Sequence, residues 1–326
     1  MPANTPNILK EKEIPLTGIQ NKRVSVIGYG NQGRAHALNL RDSGIDVTIG
    51  ARNTNNALRD EFNAVSIEEA STADLLIIAL PDEVQGKIYN EQIAPHLLTN
   101  AGQTLGFIHG FAMHYGHIIP PQDVGVVMVA PKGPGITVRE KYVAGSGVLA
   151  LLAIEKENAS KTSRALALGW ANGIGSARIG VLESTFKDET ETDLFGEQAI
   201  IVGGLVTLIK ASYETLVDAG YPPQLAYIEC CHEVKQVADI IHARGIAEMM
   251  KAISNTAEMG AYEAMALLDD KHLRKQLGEL MSHIQDGSFA HRLTNGEIKN
   301  KRASLAAHEI EQVGKEIRSV MHEDDD

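Results

Sequence analysis

Short runs of apolar, largely β-branched residues punctuate the first half of the chain, at residues 24–27, 47–49, 75–80, 104–108, 124–130 and 147–154. Segments of helical character, such as residues 32–43, lie between several of them. Apolar runs without polar alternation belong to strands covered on both faces, and their alternation with helices implies a parallel sheet. The pattern changes near residue 183. From Thr185 to about Met321 apolar positions recur at helical spacing. Leu205, Leu208 and Ile209 share one face, and Val234, Val237 and Ile241 another. Gly220-Tyr221-Pro222-Pro223 stops one helix and restarts the next, and Gly245 and Gly260 are weaker breaks. The expected fold class is α/β: a doubly wound parallel sheet over residues 1–183, then an all-α domain over residues 184–326.

Composition narrows the function. The chain has 326 residues, 44% hydrophobic and 22% charged, which suits two packed domains and not a disordered chain. Lys and Arg number 30 against 42 Asp and Glu, a formal charge of −12, so nucleic acid is not expected as a main partner. The two cysteines, Cys230 and Cys231, are adjacent, and no zinc spacing is available. A reduced, cytoplasmic protein is expected. Residues 7–13 contain no apolar signal core. Residues 92–122 carry no Lys, Arg, Asp or Glu, but their prolines, histidines and glycines make a poor membrane span, and no membrane is expected as a partner. The acidic residues 323–326 read as a solvated tail.

Gly28-Tyr29-Gly30-Asn31-Gln32-Gly33 fits G-x-G-x-x-G. The pattern alone is weak, but here it follows an expected strand and opens an expected helix. That context lets the backbone approach a pyrophosphate and aims a helix N-terminus at it, so the sheet is read as Rossmann-like. The second strand ends in Gly50-Ala51-Arg52, with no acid before Asp60. Arg52 can pair with a 2′-phosphate, with Thr54, Asn55 and Asn56 as donors, which favours NADPH over NADH. Arg52 also fits an ordinary surface arginine. The turn at Leu80-Pro81-Asp82-Glu83, with Val84 and Gln85 after it, and Gly135 are assigned to the cofactor crevice as well.

The helical half opens on a dense acidic segment, residues 183–197. Asp193 and Glu197 are spaced i, i+4, and Glu229 and Glu233 repeat the spacing. Like charges at this spacing repel, and apolar neighbours such as Leu194, Phe195, Ile228 and Val234 suggest partial burial. Hard oxygen ligands in two pairs suit two Mg²⁺ ions. Each pair taken singly also fits a solvated helix face. His232 and the two cysteines diverge around a helix and read as packing. Lys132, in the loop Val129-Ala130-Pro131-Lys132-Gly133-Pro134-Gly135, can relay a proton near a carboxylate, or be a solvated turn lysine. His109 ends the 104–108 run, where it can reach a nicotinamide or be a satisfied polar residue.

Together these segments resemble ketol-acid reductoisomerase, the acetohydroxyacid isomeroreductase of branched-chain amino acid biosynthesis. The strongest matches are residues 185–198, residues 229–235 and Ile253-Ser254-Asn255-Thr256-Ala257-Glu258. The glycine motif, Pro81-Asp82-Glu83, His109-Gly110-Phe111, the Lys132 loop and Ile284-Gln285-Asp286-Gly287 also match. The resemblance covers about residues 15–320 and looks like the short form, with one helical domain that the family knots or intertwines. It implies a Mg²⁺-assisted alkyl shift and NADPH-dependent reduction of 2-acetolactate, or its ethyl homologue, to a 2,3-dihydroxy acid. It further implies two Mg²⁺ per site, with Asp193 bridging both, Glu197 on one, and Glu229 and Glu233 reaching in from a partner subunit. Ser254 would bind the substrate carboxylate, Lys132 would assist proton movement, and His109 would sit beside the nicotinamide. A homodimer, or an assembly of dimers, follows from such a shared site. The chain departs from the family at Arg34 (usually His), Ala112 (usually Asn), Leu149 (often Pro), in the loop after Arg52, and over residues 261–270. The loop after Arg52 bears on the NADPH preference, whereas Ala112 and residues 261–270 motivate an alternative, a paralogue with the same metals acting on another 2-keto acid.

Overall fold

Residues 7–98, 102–296 and 299–321 are described by the computed structural model. Among them, nine strands form one sheet: β1 (Ile8–Leu9), β2 (Val24–Ile27), β3 (Val47–Gly50), β4 (Asn63–Val65), β5 (Leu75–Ile78), β6 (Thr104–Phe107), β7 (Gly125–Pro131), β8 (Ala150–Lys156) and β9 (Val181–Glu183). Their order is β1-β9-β8-β7-β6-β5-β2-β3-β4. The six strands from β2 to β7 are parallel, in a register that sets Val24 beside both Val47 and Leu75. Every residue of β2, β5, β6 and β7 is buried, which is why their sequences show no alternation. The acidic residues 323–326 lie outside the described residues.

Helices cover both faces. One face packs α1 (Asn31–Asp42), α6 (Gly135–Val143) and α7 (Ser163–Gly173) over a core holding Leu40, Ile49, Leu75 and Trp170. The other holds Ile67 and Ala70 of α3 (Ile67–Ala70), Ile88 of α4 (Asp82–Ile88) and Ala112 of α5 (Phe111–His114). The short α2 (Asn55–Arg59) links β3 to β4. The sheet departs from an all-parallel expectation at β8, which runs antiparallel to β7. An apolar run reads the same in either direction, so the sequence of β8 carries no orientation. β1, β4 and β9, each two or three residues long, are too short to leave a periodic signal.

The chain forms two units, residues 1–192 and 193–326. The expected division at 183/184 falls just before α8 (Phe186–Gly196), and the units meet inside that helix. Its first turns belong to the sheet unit: Phe186 packs edge-on against Phe107, and Glu189, Thr190 and Glu191 are buried there.

Within the helical unit follow α9 (Gly203–Asp218), α10 (Pro223–Tyr227), α11 (Val234–Arg244), α12 (Ile246–Ala252), α13 (Asn255–Leu268), α14 (Lys271–Gln285), α15 (Ser288–Thr294), α16 (Lys299–Ala306) and α17 (Glu309–Met321). A small core of Tyr213, Ala226, Tyr227 and Val313 joins α9, α10 and α17, with Cys230 and Cys231 packed partly buried against it as free thiols. The Gly220–Pro223 break separates α9 from α10, and Gly245, at φ +84°, separates α11 from α12. Gly260 is not a break: it sits inside α13. One glycine costs a helix only about 1 kcal/mol relative to Ala, which its helix-forming neighbours outweigh. The break falls instead before Ser254, whose hydroxyl accepts from Ala257 N at 3.2 Å and caps α13.

Candidate functional site

After β2 the chain turns at Gly28, where φ is +98° and a Cβ would lie 2.7 Å from the Ala79 carbonyl oxygen. A Cβ on Gly33 would lie 2.1 Å from the Gly28 oxygen, so α1 reaches the turn only because that position lacks a side chain. At Gly30, by contrast, the Cβ direction meets open space at the N-terminus of α1. Unpaired N–H groups and the positive helix end point there, the arrangement that receives a phosphate. Gly28, Tyr29, Gly30, Asn31 and Gln32 line a cleft of about 520 Å³ with Ala51, Arg52, Asn53, Ile67, Ala79, Leu80, Pro81 and Ile108. Small-molecule sites span roughly 300–1,000 Å³.

Of the expected cofactor residues, Gly33, Thr54, Asp82, Glu83, Val84, Gln85 and Gly135 are not among the described residues of this lining. Gly33 and Gly135 serve close packing: a Cβ on Gly135 would lie 2.3 Å from the Asn31 carbonyl oxygen, where the N-termini of α1 and α6 meet. Buried Gln85 donates to Leu80 O at 2.8 Å and to Asp82 Oδ1 at 3.3 Å, bracing the turn that forms the cleft wall. Gln32 donates to Gly133 O at 2.9 Å, tying the glycine-rich turn to the loop that carries Lys132.

A second cluster forms where β6, β7 and α8 converge. Thr185 accepts from Asp188 N at 2.9 Å and caps the start of α8. One turn on, Glu189 is 1% exposed at its side chain. Its Oε1 accepts from Lys132 Nζ at 2.7 Å, while Oε2 lies 3.0 Å from His109 Nδ1 and accepts from Gly110 N at 2.9 Å. Burial alone would raise its pKa. The hydrogen bond from His109, then the charges of His109 and Lys132, outweigh burial and hold the carboxyl down at about 2. Gly110 lets the helix come this close, since a Cβ there would lie 2.4 Å from Thr190 Oγ1. Two residues along, buried Glu191 pairs with His114 Nε2 at 3.3 Å, a second tie between α5 and α8.

His109 and Lys132, singled out separately in the sequence, are thus joined through one carboxylate. Sequence reasoning gave Glu189 no role. The signal it did carry was its spacing, since Glu189, Asp193 and Glu197 follow one another at i, i+4, i+8. Cleft residues such as Ile67, Ala79 and Ile108 carried no signal, because small and aliphatic residues are common everywhere.

The expected metal ligands sit on the helical unit. Asp193 is half-buried, whereas Glu197, Glu229 and Glu233 are exposed in the single chain, a departure from the expected partial burial. The reason is that Leu194 is buried while Phe195, Ile228 and Val234 remain only partly covered. Nor is the helix around each pair regular. Glu197 opens a π turn, Glu197–Ile201, closed by Val202 N donating to Glu197 O at 3.0 Å. Glu229 lies in another, Ile228–His232, closed by Glu233 N donating to Ile228 O at 3.2 Å. Such bulges recur at functional sites, where the extra residue re-aims side chains. All four expected ligands offer carboxylate oxygens, a set that fits a hard divalent cation.

The sheet, the glycine-rich turn and the cleft define a Rossmann-type dinucleotide-binding protein fused to a helical unit that carries carboxylates. Comparison with known proteins narrows this. Residues 18–180 match the acetohydroxy acid isomeroreductase NADPH-binding domain, and residues 186–323 match the ketol-acid reductoisomerase C-terminal domain. The chain belongs to the ketol-acid reductoisomerase family. It is similar to an NADH-preferring ketol-acid reductoisomerase from an uncultured archean, at 39% identity and a TM-score of 0.92, over 96% of this chain and 98% of that one. A semialdehyde dehydrogenase NAD-binding protein from Cupriavidus necator shares the fold at 20% identity and a TM-score of 0.61, over 82% and 99% of the two chains. A putative oxidoreductase from Jannaschia sp. CCS1 does so at 15% identity and 0.60, over 81% and 97%.

Proposed function

We propose that the protein is a working ketol-acid reductoisomerase, converting 2-acetolactate or its ethyl homologue into the 2,3-dihydroxy acid with Mg²⁺ and a reduced nicotinamide dinucleotide. The observation that carries this reading is the buried Glu189 carboxylate, which gathers Lys132, His109 and the Gly110 N–H one helical turn before Asp193. When bound, the metals supply Lewis acidity at vicinal substrate oxygens, and the dinucleotide supplies reducing equivalents. Asp193 and Glu197 would hold the metals, with Glu229 and Glu233 of a second copy. Ser254 would face the substrate carboxylate. Lys132, fixed by Glu189, holds the proton exchanged with a substrate oxygen, and His109 orients against the same carboxylate. The glycine-rich turn and the N-terminus of α1 take the pyrophosphate, and Arg52, in the cleft lining, is the contact for a 2′-phosphate. The 39%-identical relative is NADH-preferring, which makes both dinucleotides candidates.

A homo-oligomer is part of the proposal. The helical unit exposes Ile200, Ile201, Val206, Leu208, Ile241, Ile246 and Leu267 around a small core. Apolar surface of this extent marks an interaction site. The helical stretch Phe186–Asp218 is also long and apolar enough to cross a membrane by length and composition. Its opening turns carry buried Glu189 and Glu191 packed on the sheet unit, so a subunit interface is the better reading.

The test is cofactor oxidation with 2-acetolactate, with NADPH and NADH, with and without Mg²⁺. Strictly Mg²⁺-dependent oxidation is expected, and Glu197→Gln should abolish it while leaving dinucleotide affinity unchanged. Turnover that survives chelation or Glu197→Gln refutes the metal assignment. A protein that binds Mg²⁺ and dinucleotide yet ignores acetolactate, but reduces another 2-keto acid, is the paralogue.

A further inference from the structure

The rim of the dinucleotide cleft contains a charge arrangement unrelated to Arg52. Tyr29, a cleft residue, donates its hydroxyl to Asp60 Oδ2 at 2.8 Å. The Arg34 guanidinium grips the same carboxylate twice, Nε to Oδ2 at 2.6 Å and Nη2 to Oδ1 at 3.1 Å. Arg41 donates from Nη1 to the Asp60 carbonyl oxygen at 2.6 Å, and its guanidinium lies 4.8 Å over the Phe62 ring, which packs edge-on to Tyr29. Tyr29 and Arg34 share one oxygen, so the guanidinium stands within two hydrogen-bond lengths of the hydroxyl of a residue that lines the cleft. A second cation is therefore held on the same carboxylate as a cleft residue, but its donors point at Asp60 and its charge is matched there.

We propose that Asp60 is a cofactor-selectivity residue: by sequestering Arg34 it leaves the 2′-phosphate of NADPH to Arg52 and narrows the gap between NADPH and NADH. The inference rests on the reading of the cleft as an NAD(P)H site. NADH lacks the 2′-phosphate, so any change in potential at this rim acts mainly on NADPH. With Asp60 neutralised, Arg34, half exposed at its side chain, regains an unmatched charge and a fork that fits phosphate. The rim is solvated, and screening keeps the gain modest, about three- to tenfold. Removing Arg34 alone exposes the Asp60 charge and acts in the opposite direction. Removing both restores the balance.

The experiment measures Kd for NADPH and NADH with the full chain, without metal or substrate, in the wild type, Asp60→Asn, Arg34→Gln and the double variant. Asp60→Asn should move the ratio of the two constants toward NADPH by about threefold or more. Arg34→Gln should move it toward NADH, and the double variant should return it to the wild-type value. Asp60→Ser gives the same shift should Asp60→Asn not fold. Equal changes for both dinucleotides reduce Asp60 to a brace and overturn the proposal. A double variant as poor with NADPH as Arg34→Gln also overturns it, since Arg34 would then touch the phosphate already. A wild type that binds neither dinucleotide overturns the NAD(P)H reading itself. Unchanged ratios with intact wild-type binding overturn only the role of Asp60.

Discussion

Acid should destabilise the sheet unit through one residue, His36. It lies in α1 at 0% exposure, and its Nδ1 accepts from Trp170 Nε1 at 3.0 Å. Burial pushes its pKa down to about 3, against about 6.5 in an unfolded chain. Between those values the unfolded chain binds a proton that the folded one refuses. The stability contribution is therefore intact above about pH 6.5 and is lost as pH falls toward 3. From pH 7 to pH 5 the loss from this group is about 2 kcal/mol, within the limit of about 1.4 kcal/mol per pH unit for one proton. Trp170 is the single tryptophan, fully buried and bonded to the ring in question, so its fluorescence follows this unit alone. Urea unfolding at both pH values would compare the wild type with His36→Gln, whose carbonyl can still accept from the indole but cannot titrate. The wild type should lose about 2 kcal/mol more than the variant, other groups cancelling. Equal losses would refute the account of a histidine buried neutral.

Two other outcomes follow from the site and the surface. Glu189→Gln removes the anion that holds Lys132 and His109, so kcat with 2-acetolactate should fall about 10²-fold or more while dinucleotide Kd stays constant; a fall in dinucleotide affinity instead would place Glu189 in the cofactor site. Leu208→Glu, on the exposed apolar face of α9, should lower the sedimenting mass and leave the Trp170 unfolding curve in place, and an unchanged mass would remove that face from the interface.

Much of the fold was legible. Apolar runs located β2, β3, β5, β6 and β7, because buried parallel strands need continuous apolar sequence. The glycine motif located the cleft, because its backbone can take only glycine where Gly28 and Gly33 stand. Other features left no mark. The direction of β8 is set by its neighbours and not by its composition. The π turns at Glu197–Ile201 and Ile228–His232 have the same residue types as regular helix. Gly260 looked like a break because a local penalty is easy to see and the stabilisation of a whole helix is not.

The candidate chemistry divides in the same way. Sequence by itself determined which groups are available: a phosphate-binding turn, Arg52, Lys132, His109 and carboxylates at helical spacing. Local spacing and residue type carry that information, since they depend on positions a few residues apart. Only the tertiary structure decided which of them meet. Lys132, His109 and Glu189 lie 57 and 80 positions apart along the chain in their two pairings, and nothing in either segment encodes the other. Nothing in the sequence joined Asp60 to Arg34 either, and only the fold sets Arg34 and Tyr29 on the Asp60 carboxylate. Such pairings follow from how the sheet orders its strands and how closely glycines let helices approach, which are properties of the packed chain and not of any window within it.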